Sequence, residues 1–289
     1  MKWNQCALTA LALLCLLPLA GKGENADYTV KSRRTAVEYH GETLDYQIDI
    51  LNICGAKCYV TKVWMAEPAR QIRKAISPWH QALDQAGHLA EQVPGAMLAI
   101  NGSGYVSPVY PEIPDNYPGE SADYFYTPLG SLTVVDGEVY RNLENVPYYG
   151  LTLEEDGLHM YAGAENREVL SRHPLQTWSF YEGCPLYAGG EELLDHDWAF
   201  ARRRAVRTVI SKLRQENTYL ILTATNVNNN GLTLVQANAF LMNEYDPEWI
   251  YNLDGGPSSA LLRRREGAKG LTLLYGAKQR IVDVMVFVE

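Results

Sequence analysis

Near the carboxyl-terminal end of the chain, the stretch YNLDGGPSSALL (residues 251–262) sets one acid, two glycines, a proline and two serines directly after an apolar run. Taken alone, Asp-Gly-Gly is most often only a turn, because glycine tolerates positive φ and Asp and Ser bond their own backbone. Two other places share the form. LAINGSG ends an apolar run in Asn101, and AVRTVIS opens one with Arg207 and Thr208. Polar residues at the ends of neighbouring buried strands collect in one cleft in α/β and α+β proteins. Gathered there, these groups suit an anionic ester. Arg207 can hold phosphate oxygens through two parallel hydrogen bonds. The amides of Gly255 and Gly256, with Ser258 and Ser259, can add neutral donors in a nest-like turn. Asp254 can serve as nucleophile or as the base for water, while Arg207 offsets negative charge developing on a leaving group.

The elements that must carry these residues are read from hydrophobic period and turn chemistry. TLDYQIDIL (43–51) and CYVTKVWMA (58–66) alternate like the strands of a hairpin. Apolar residues at helical spacing predict short helices over 68–76 and 78–92, broken at Ser77-Pro78. A buried strand is expected over 96–100. Residues 106–128 are rich in proline and tyrosine and read as a long surface loop, its tyrosines stacking on sugar rings as a lid or packing the loop down. SLTVVDGEVYR and GLTLEEDGLHMY each place Asp-Gly between two short strands. Residues 177–193 and 204–225 read as further strand-turn-strand segments, Thr233 caps a helix over 234–242, WIYNL is a strand, and QRIVDVMVFVE is the last one. The fold class expected is α+β: a mixed, largely antiparallel β-sheet core with a few flanking helices.

Residues 1–23 open with Lys2, continue through CALTALALLCLLPLA and meet Pro18, Ala20, Gly21 and Gly23, the pattern of a secretory signal peptide. The expectation is therefore a secreted or extracytoplasmic protein with no membrane span after the signal is removed, since no later apolar run approaches the roughly 18 to 20 residues a spanning helix needs. Of the cysteines beyond the signal, Cys54 and Cys58 are expected to close a short disulfide loop in that oxidising compartment, leaving Cys184 as a buried thiol. A net charge of −9 argues against a nucleic-acid partner. With 47% hydrophobic residues the chain can bury a large core. Residues 24–92 are expected to form an N-terminal hairpin with helices belonging to the same fold as residues 93–289.

The order INGSGY, EGCPLYAGGE, VRTVIS, GLTLVQANAFLMNEYDPEWIYNLDGGPSS and RIVDVMVFV resembles the phosphodiester glycosidase family over roughly residues 93–289, its most specific element being the spacing between the Arg-Thr and Asp-Gly-Gly motifs. The resemblance implies a hydrolase acting on a sugar 1-phosphodiester, with Asn101, Arg207 and Asp254 as catalytic residues and Thr208, Gly255, Gly256, Ser258 and Ser259 lining the substrate. Two positions depart from the family pattern: Ser103 and Pro257 stand where glycines are usual, and Pro257 removes one backbone donor. Those departures keep a second reading open, a non-catalytic glycan-phosphate binding protein of the cell envelope.

Phosphate is a far better leaving group than a sugar alkoxide, so a strong general acid is less necessary than in ordinary glycosidases, and the usual pair of carboxylates is not visible. Glu112, Asp115, Glu120, Asp123 and Glu182 are the candidates for a second acid, each more often a solvated side chain. The six histidines show no ligand or triad spacing and Ser258 lacks a GxSxG elbow, which makes zinc and serine hydrolases poor readings. No step requires a cofactor or a catalytic metal. NVNNNG (226–231) with Asp254 leaves a structural calcium ion open.

Overall fold

The computed structural model describes residues 28–180, 182–227, 231–276 and 279–289. The segment read as an export signal lies outside the described residues. Eighteen strands, β1 (Val30–His40), β2 (Leu44–Ile53), β3 (Ala56–Met65), β4 (Ile72–Ile76), β5 (Ala96–Asn101), β6 (Leu132–Val135), β7 (Glu138–Asn142), β8 (Tyr148–Glu154), β9 (Gly157–Ala164), β10 (Gln176–Ser179), β11 (Pro185–Ala188), β12 (Glu191–Glu192), β13 (Arg207–Leu213), β14 (Thr218–Ala224), β15 (Pro247–Asn252), β16 (Ala260–Arg264), β17 (Leu271–Gly276) and β18 (Asp283–Val288), alternate among the described residues with five short helices. These are α1 (Pro68–Gln71), α2 (Ala86–Glu91), α3 (Asn166–Ser171), α4 (Ala199–Arg202) and α5 (Leu234–Glu244).

The strands form three sheets, in the orders β1-β2-β3-β14-β13-β15-β11-β12, β7-β6-β10-β8-β9 and β17-β16-β5-β18-β4. Every pairing between these strands is antiparallel, so the sheet core is not mixed. All three sheets contribute to one apolar core. Ile48, Ile210 and Tyr251 from the first sheet meet Leu151 and Trp178 from the second and Ile100, Met285 and Phe287 from the third. On its other face the eight-stranded sheet packs against α5 through Val209, Leu222, Phe240 and Leu241. That helix starts as its sequence dictates: the Thr233 hydroxyl accepts the Gln236 amide and the Gln236 side chain returns to the Thr233 amide.

Three further expectations are corrected. The stretch 68–76 is one helical turn followed by β4, because the run IRKAI pairs with β18 along its whole length and that pairing overrides the local helical spacing. The helix expected over 78–92 shrinks to α2. Cys54 and Cys58 form no disulfide. Across the β2–β3 hairpin Cys58 stands opposite Leu51, while Cys54 sits in the connecting turn at φ 48°, so the two thiols are not facing neighbours. The turn built on Asp136 and Gly137, both at positive φ, joins β6 and β7 as the sequence requires.

Candidate active site

Four strand ends meet where the first and third sheets adjoin: the end of β5, the start of β13, the end of β15 and the start of β16. Asn101 closes β5 with a side chain that is hydrogen-bonded through both its nitrogen and its oxygen. Its Nδ2 donates to the Asp254 carbonyl at 2.7 Å, and its Oδ1 accepts from the Thr208 hydroxyl at 2.8 Å and from the Ala260 amide at 3.0 Å. Thr208 also lies 3.0 Å from the Ser259 hydroxyl. All three side chains are buried. Buried polar groups that satisfy one another in this way fix a unique geometry, and what they fix here is the backbone on either side of Asp254.

The Asp-Gly-Gly-Pro sequence is explained position by position. The Asp254 amide donates to the Gly102 carbonyl at 3.2 Å. A Cβ on Gly255 would stand 2.8 Å from the Val206 carbonyl, too close for any side chain. Gly256 adopts φ +58° and donates to that same Val206 carbonyl at 2.9 Å. Pro257 opens a 3-10 turn over Gly256–Ser258, where a missing N–H costs nothing. The turn therefore accommodates its proline, and the two glycine amides are engaged within the protein: Gly255 on Asp254 Oδ1 at 2.8 Å and Gly256 on Val206.

Asp254 is the one acid at the junction that keeps an opening to solvent. Loss of hydration raises its pKa from the ordinary 3.8 to about 7; hydrogen bonds from Ser258 and the Gly255 amide oppose the rise, and the charge of Asp283 adds to it. A carboxyl poised near neutrality can take or release a proton where the chemistry is run. Tyr105, whose hydroxyl donates to the Arg280 carbonyl at 3.0 Å, faces the same carboxyl, and burial raises its own pKa.

Arg207 adjoins Thr208 on β13 but points to the opposite face, since side chains alternate along a strand: Val209 belongs to the α5 side and Ile210 to the three-sheet core. Arg207 is 1% exposed. Its Nη2 donates to the carbonyls of Phe200 and Arg203, both at 2.8 Å, and the Phe200 ring centroid lies 4.2 Å from Cζ. Burial pushes its pKa down to about 10, which leaves it charged at neutral pH. Among the described residues no carboxylate pairs with it and Nη1 has no acceptor.

Asn101, Thr208, Asp254, Ser258 and Ser259 are thus brought together, and Arg207 stands across the sheet from them. Sequence reasoning missed Asp283 and Lys74. Asp283 accepts the Ser103 amide at 2.6 Å and pairs with Lys74 at 2.8 Å, both side chains fully buried. An acid inside the apolar run RIVDVMVFV was the available signal. Ser103 is not a defect of the site: its hydroxyl accepts the Ser179 amide at 3.2 Å and ties the turn after β5 to β10.

The proline- and tyrosine-rich segment walls a separate cavity of about 620 Å³, which Tyr117, Tyr149, Phe180 and Trp198 line together with Asp115, Glu182 and Asp195. Phe180 links it to the junction, since a Cβ on Gly104 would collide with the Phe180 ring. Of the other loop acids, Glu120 and Asp123 form the reciprocal cap of a 3-10 turn over Ser121–Tyr124. Part of the proposed calcium ligand run, residues 228–230, lies outside the described residues. Glu154, Asp156 and His159 bring ligand atoms within 4.8 Å of one another, but Glu154 already takes Arg172 at 3.0 Å and the hydroxyls of Thr152 and Tyr161. No helix among the described residues is long and apolar enough to cross a membrane.

A family model described as phosphodiester glycosidase matches residues 94–288. Among solved structures, the catalytic domain of zebrafish N-acetylglucosamine-1-phosphodiester alpha-N-acetylglucosaminidase, auto-inhibited by its pro-peptide, is similar with a TM-score of 0.63 at 16% identity, over 89% of this chain and 88% of that one. A hypothetical protein from Synechocystis is similar with a TM-score of 0.54 at 14% identity, over 86% of this chain and 62% of that one. No curated protein matches. At these identities the two structures speak to the fold alone.

Proposed function

Because this chain belongs to the phosphodiester glycosidase family, we propose that it is an exported hydrolase that cleaves the glycosidic bond of a sugar 1-phosphodiester in an envelope or extracellular glycan. The observation that carries the reading is Asp254: a carboxyl with pKa near 7, held by a saturated frame of Asn101, Thr208 and Ser259 and left with a path to solvent. In its ionised form it attacks the anomeric carbon or takes a proton from water, and the bond to the phosphate oxygen breaks with its electron pair leaving on phosphate. The departing dianion needs no strong acid. Arg207, charged and without a carboxylate partner among the described residues, supplies a positive field that favours phosphate. The aromatic walls of the adjoining cavity suit the flat faces of sugar rings.

A second reading rests on a specific observation. Both glycine amides, the Thr208 hydroxyl and the Asn101 amide are engaged within the protein, which leaves few of them to stabilise charge on a departing phosphate. On that reading the chain binds glycan phosphates of the envelope without turning them over. Release of free sugar from a panel of sugar 1-phosphodiesters, measured for the wild type and Asp254→Asn, separates the two. Turnover lost in the variant establishes the hydrolase; sugar-phosphate binding with no turnover in either protein establishes the binding module.

A further inference from the structure

Behind Asp254 lies a buried ion pair whose acid, Asp283, stands in the apolar run RIVDVMVFV and whose base comes from outside the family span. Lys74 sits on β4, outside residues 94–288. Its ammonium lies 2.8 Å from Asp283 Oδ2, donates to the Thr177 carbonyl and faces the Trp178 ring at 5.5 Å, with neither Lys74 nor Asp283 side chain exposed. Asp283 Oδ1 accepts the Ser103 amide at 2.6 Å, and the Asp283 carbonyl accepts the Gly102 amide at 3.1 Å. Gly102 can only be glycine here, because a Cβ would collide with Asp283 Oδ1. The Gly102 carbonyl in turn receives the Asp254 amide at 3.2 Å. The path from Lys74 to Asp254 is therefore continuous: ammonium, carboxylate, turn, backbone of the reacting acid.

We propose that Lys74 and Asp283 are a positioning pair for Asp254, pinning the Gly102–Ser103 turn on which its backbone hangs and setting the charge its carboxyl faces. The reason for an ion pair, where an apolar contact would pack as well, lies in that second task. A buried pair is weak evidence for stability, since apolar replacements of similar volume are often no less stable. Its negative member lies on the Asp254 side, and like charge favours the protonated form of a neighbouring carboxyl. The charge on Asp283 thus adds to desolvation in holding Asp254 near neutrality. The other groups facing that carboxyl are the Ser258 hydroxyl, the Gly255 amide and Tyr105, the last tied to the Arg280 carbonyl and to Gln279. None of these carries a formal charge at neutral pH, so Asp283 is the ionic partner among them.

The inference rests on Asp254 as the reacting group but is tested without substrate. Either single neutralisation strands a buried charge and can unfold the chain. The test therefore uses the double variant Lys74→Met/Asp283→Asn, in which the carboxamide oxygen introduced at position 283 still accepts the Ser103 amide and both charges are gone. The Asp254 carboxyl is followed by 13C NMR across the range from about pH 4 to about pH 9, assigned by its absence in Asp254→Asn. The expected result is a folded double variant whose Asp254 midpoint falls by about one pH unit, with the acid limb of any turnover shifted equally and KM unchanged. A folded double variant with an unmoved midpoint overturns the proposal. A moved midpoint with no turnover in the wild type upholds the pair and removes the hydrolase reading.

Discussion

The strand-end junction around Asp254 and the cavity walled by the tyrosine-rich loop differ in how their polar atoms are occupied. At the junction Asn101, Thr208 and Ser259 satisfy one another, the glycine amides are engaged, and a single carboxyl remains for chemistry. In the cavity the carboxylates of Asp115, Glu182 and Asp195 are exposed, and none pairs with a Lys, Arg or His among the described residues. On the proposed reading, a hydrogen-bonded frame with one perturbed acid holds a reacting group in place, and a wall of rings with acids that no cation neutralises recognises a ligand by contact and charge. The contrast teaches that, if the proposed function holds, precision and selectivity fall to different sets of residues, carried by strand ends and by a loop.

The largest effect that would break this division is at Asp254. Asp254→Asn is expected to lower turnover of a sugar 1-phosphodiester by about 10³-fold or more, because the replaced group acts in the transition state itself. The rate of the wild type should rise with pH through about 7, as the carboxyl ionises. A variant with undiminished turnover would move the chemistry away from the junction.

Next comes the frame. Asn101→Ala removes three hydrogen bonds and leaves the Ala260 amide and the Asp254 carbonyl without the Asn101 side chain and the Thr208 hydroxyl with Ser259 alone, a loss of roughly 3 kcal/mol in denaturant unfolding. Turnover should fall with it. Ser259→Ala removes one contact and should cost about 1 kcal/mol. Equal losses from the two would mean that Asn101 does not organise the junction.

The junction was legible in the sequence to the extent that strand ends announce themselves. Asn101, Thr208 and Asp254 each stand where an apolar run stops or starts, and the chain does gather them. Sidedness was also there to be read, since Arg207 and Thr208 are neighbours on a strand and must point apart. What the sequence hid has a physical reason. β4 and β1 take their form from partners far along the chain or from the edge of a sheet, β4 from β18 and β1 from β2, and local spacing carries no trace of that. Lys74 was read as part of a helix for the same reason, so the pair behind the reacting acid stayed out of sight.

A third effect concerns stability and pH. Asp254 titrates near 7 in the folded chain against about 4 when unfolded. Between those values the native state holds a proton that the unfolded state releases, so stability falls as pH rises from about 4 to about 7. Asp254→Asn abolishes that dependence. It should therefore be more stable than the wild type at about pH 8, by roughly 1–2 kcal/mol once the opening to solvent is allowed for, and close to it at about pH 4. Parallel unfolding curves at the two pH values would show that the carboxyl is not held in the desolvated state that makes it reactive.

The smallest effect is at the cavity, and it sharpens the comparison most. Its described lining contains three acids and no Lys, Arg or His, so a sugar bearing a carboxylate or sulfate meets repulsion there while a neutral or amino-bearing ring does not. Exposed charges act through water and each is worth only a few tenths of a kcal/mol up to about 1. Glu182→Gln/Asp195→Asn should leave unfolding unchanged within roughly 0.5 kcal/mol and should lower KM for acidic glycans by roughly threefold to tenfold, an advantage that fades as salt is raised. For neutral glycans the same variant should do nothing, and kcat should stay constant throughout, because these side chains touch the ligand and not the reacting carbon. A change in kcat instead would mean that cavity and junction form one catalytic unit, with Glu182 or Asp195 taking part in the chemistry.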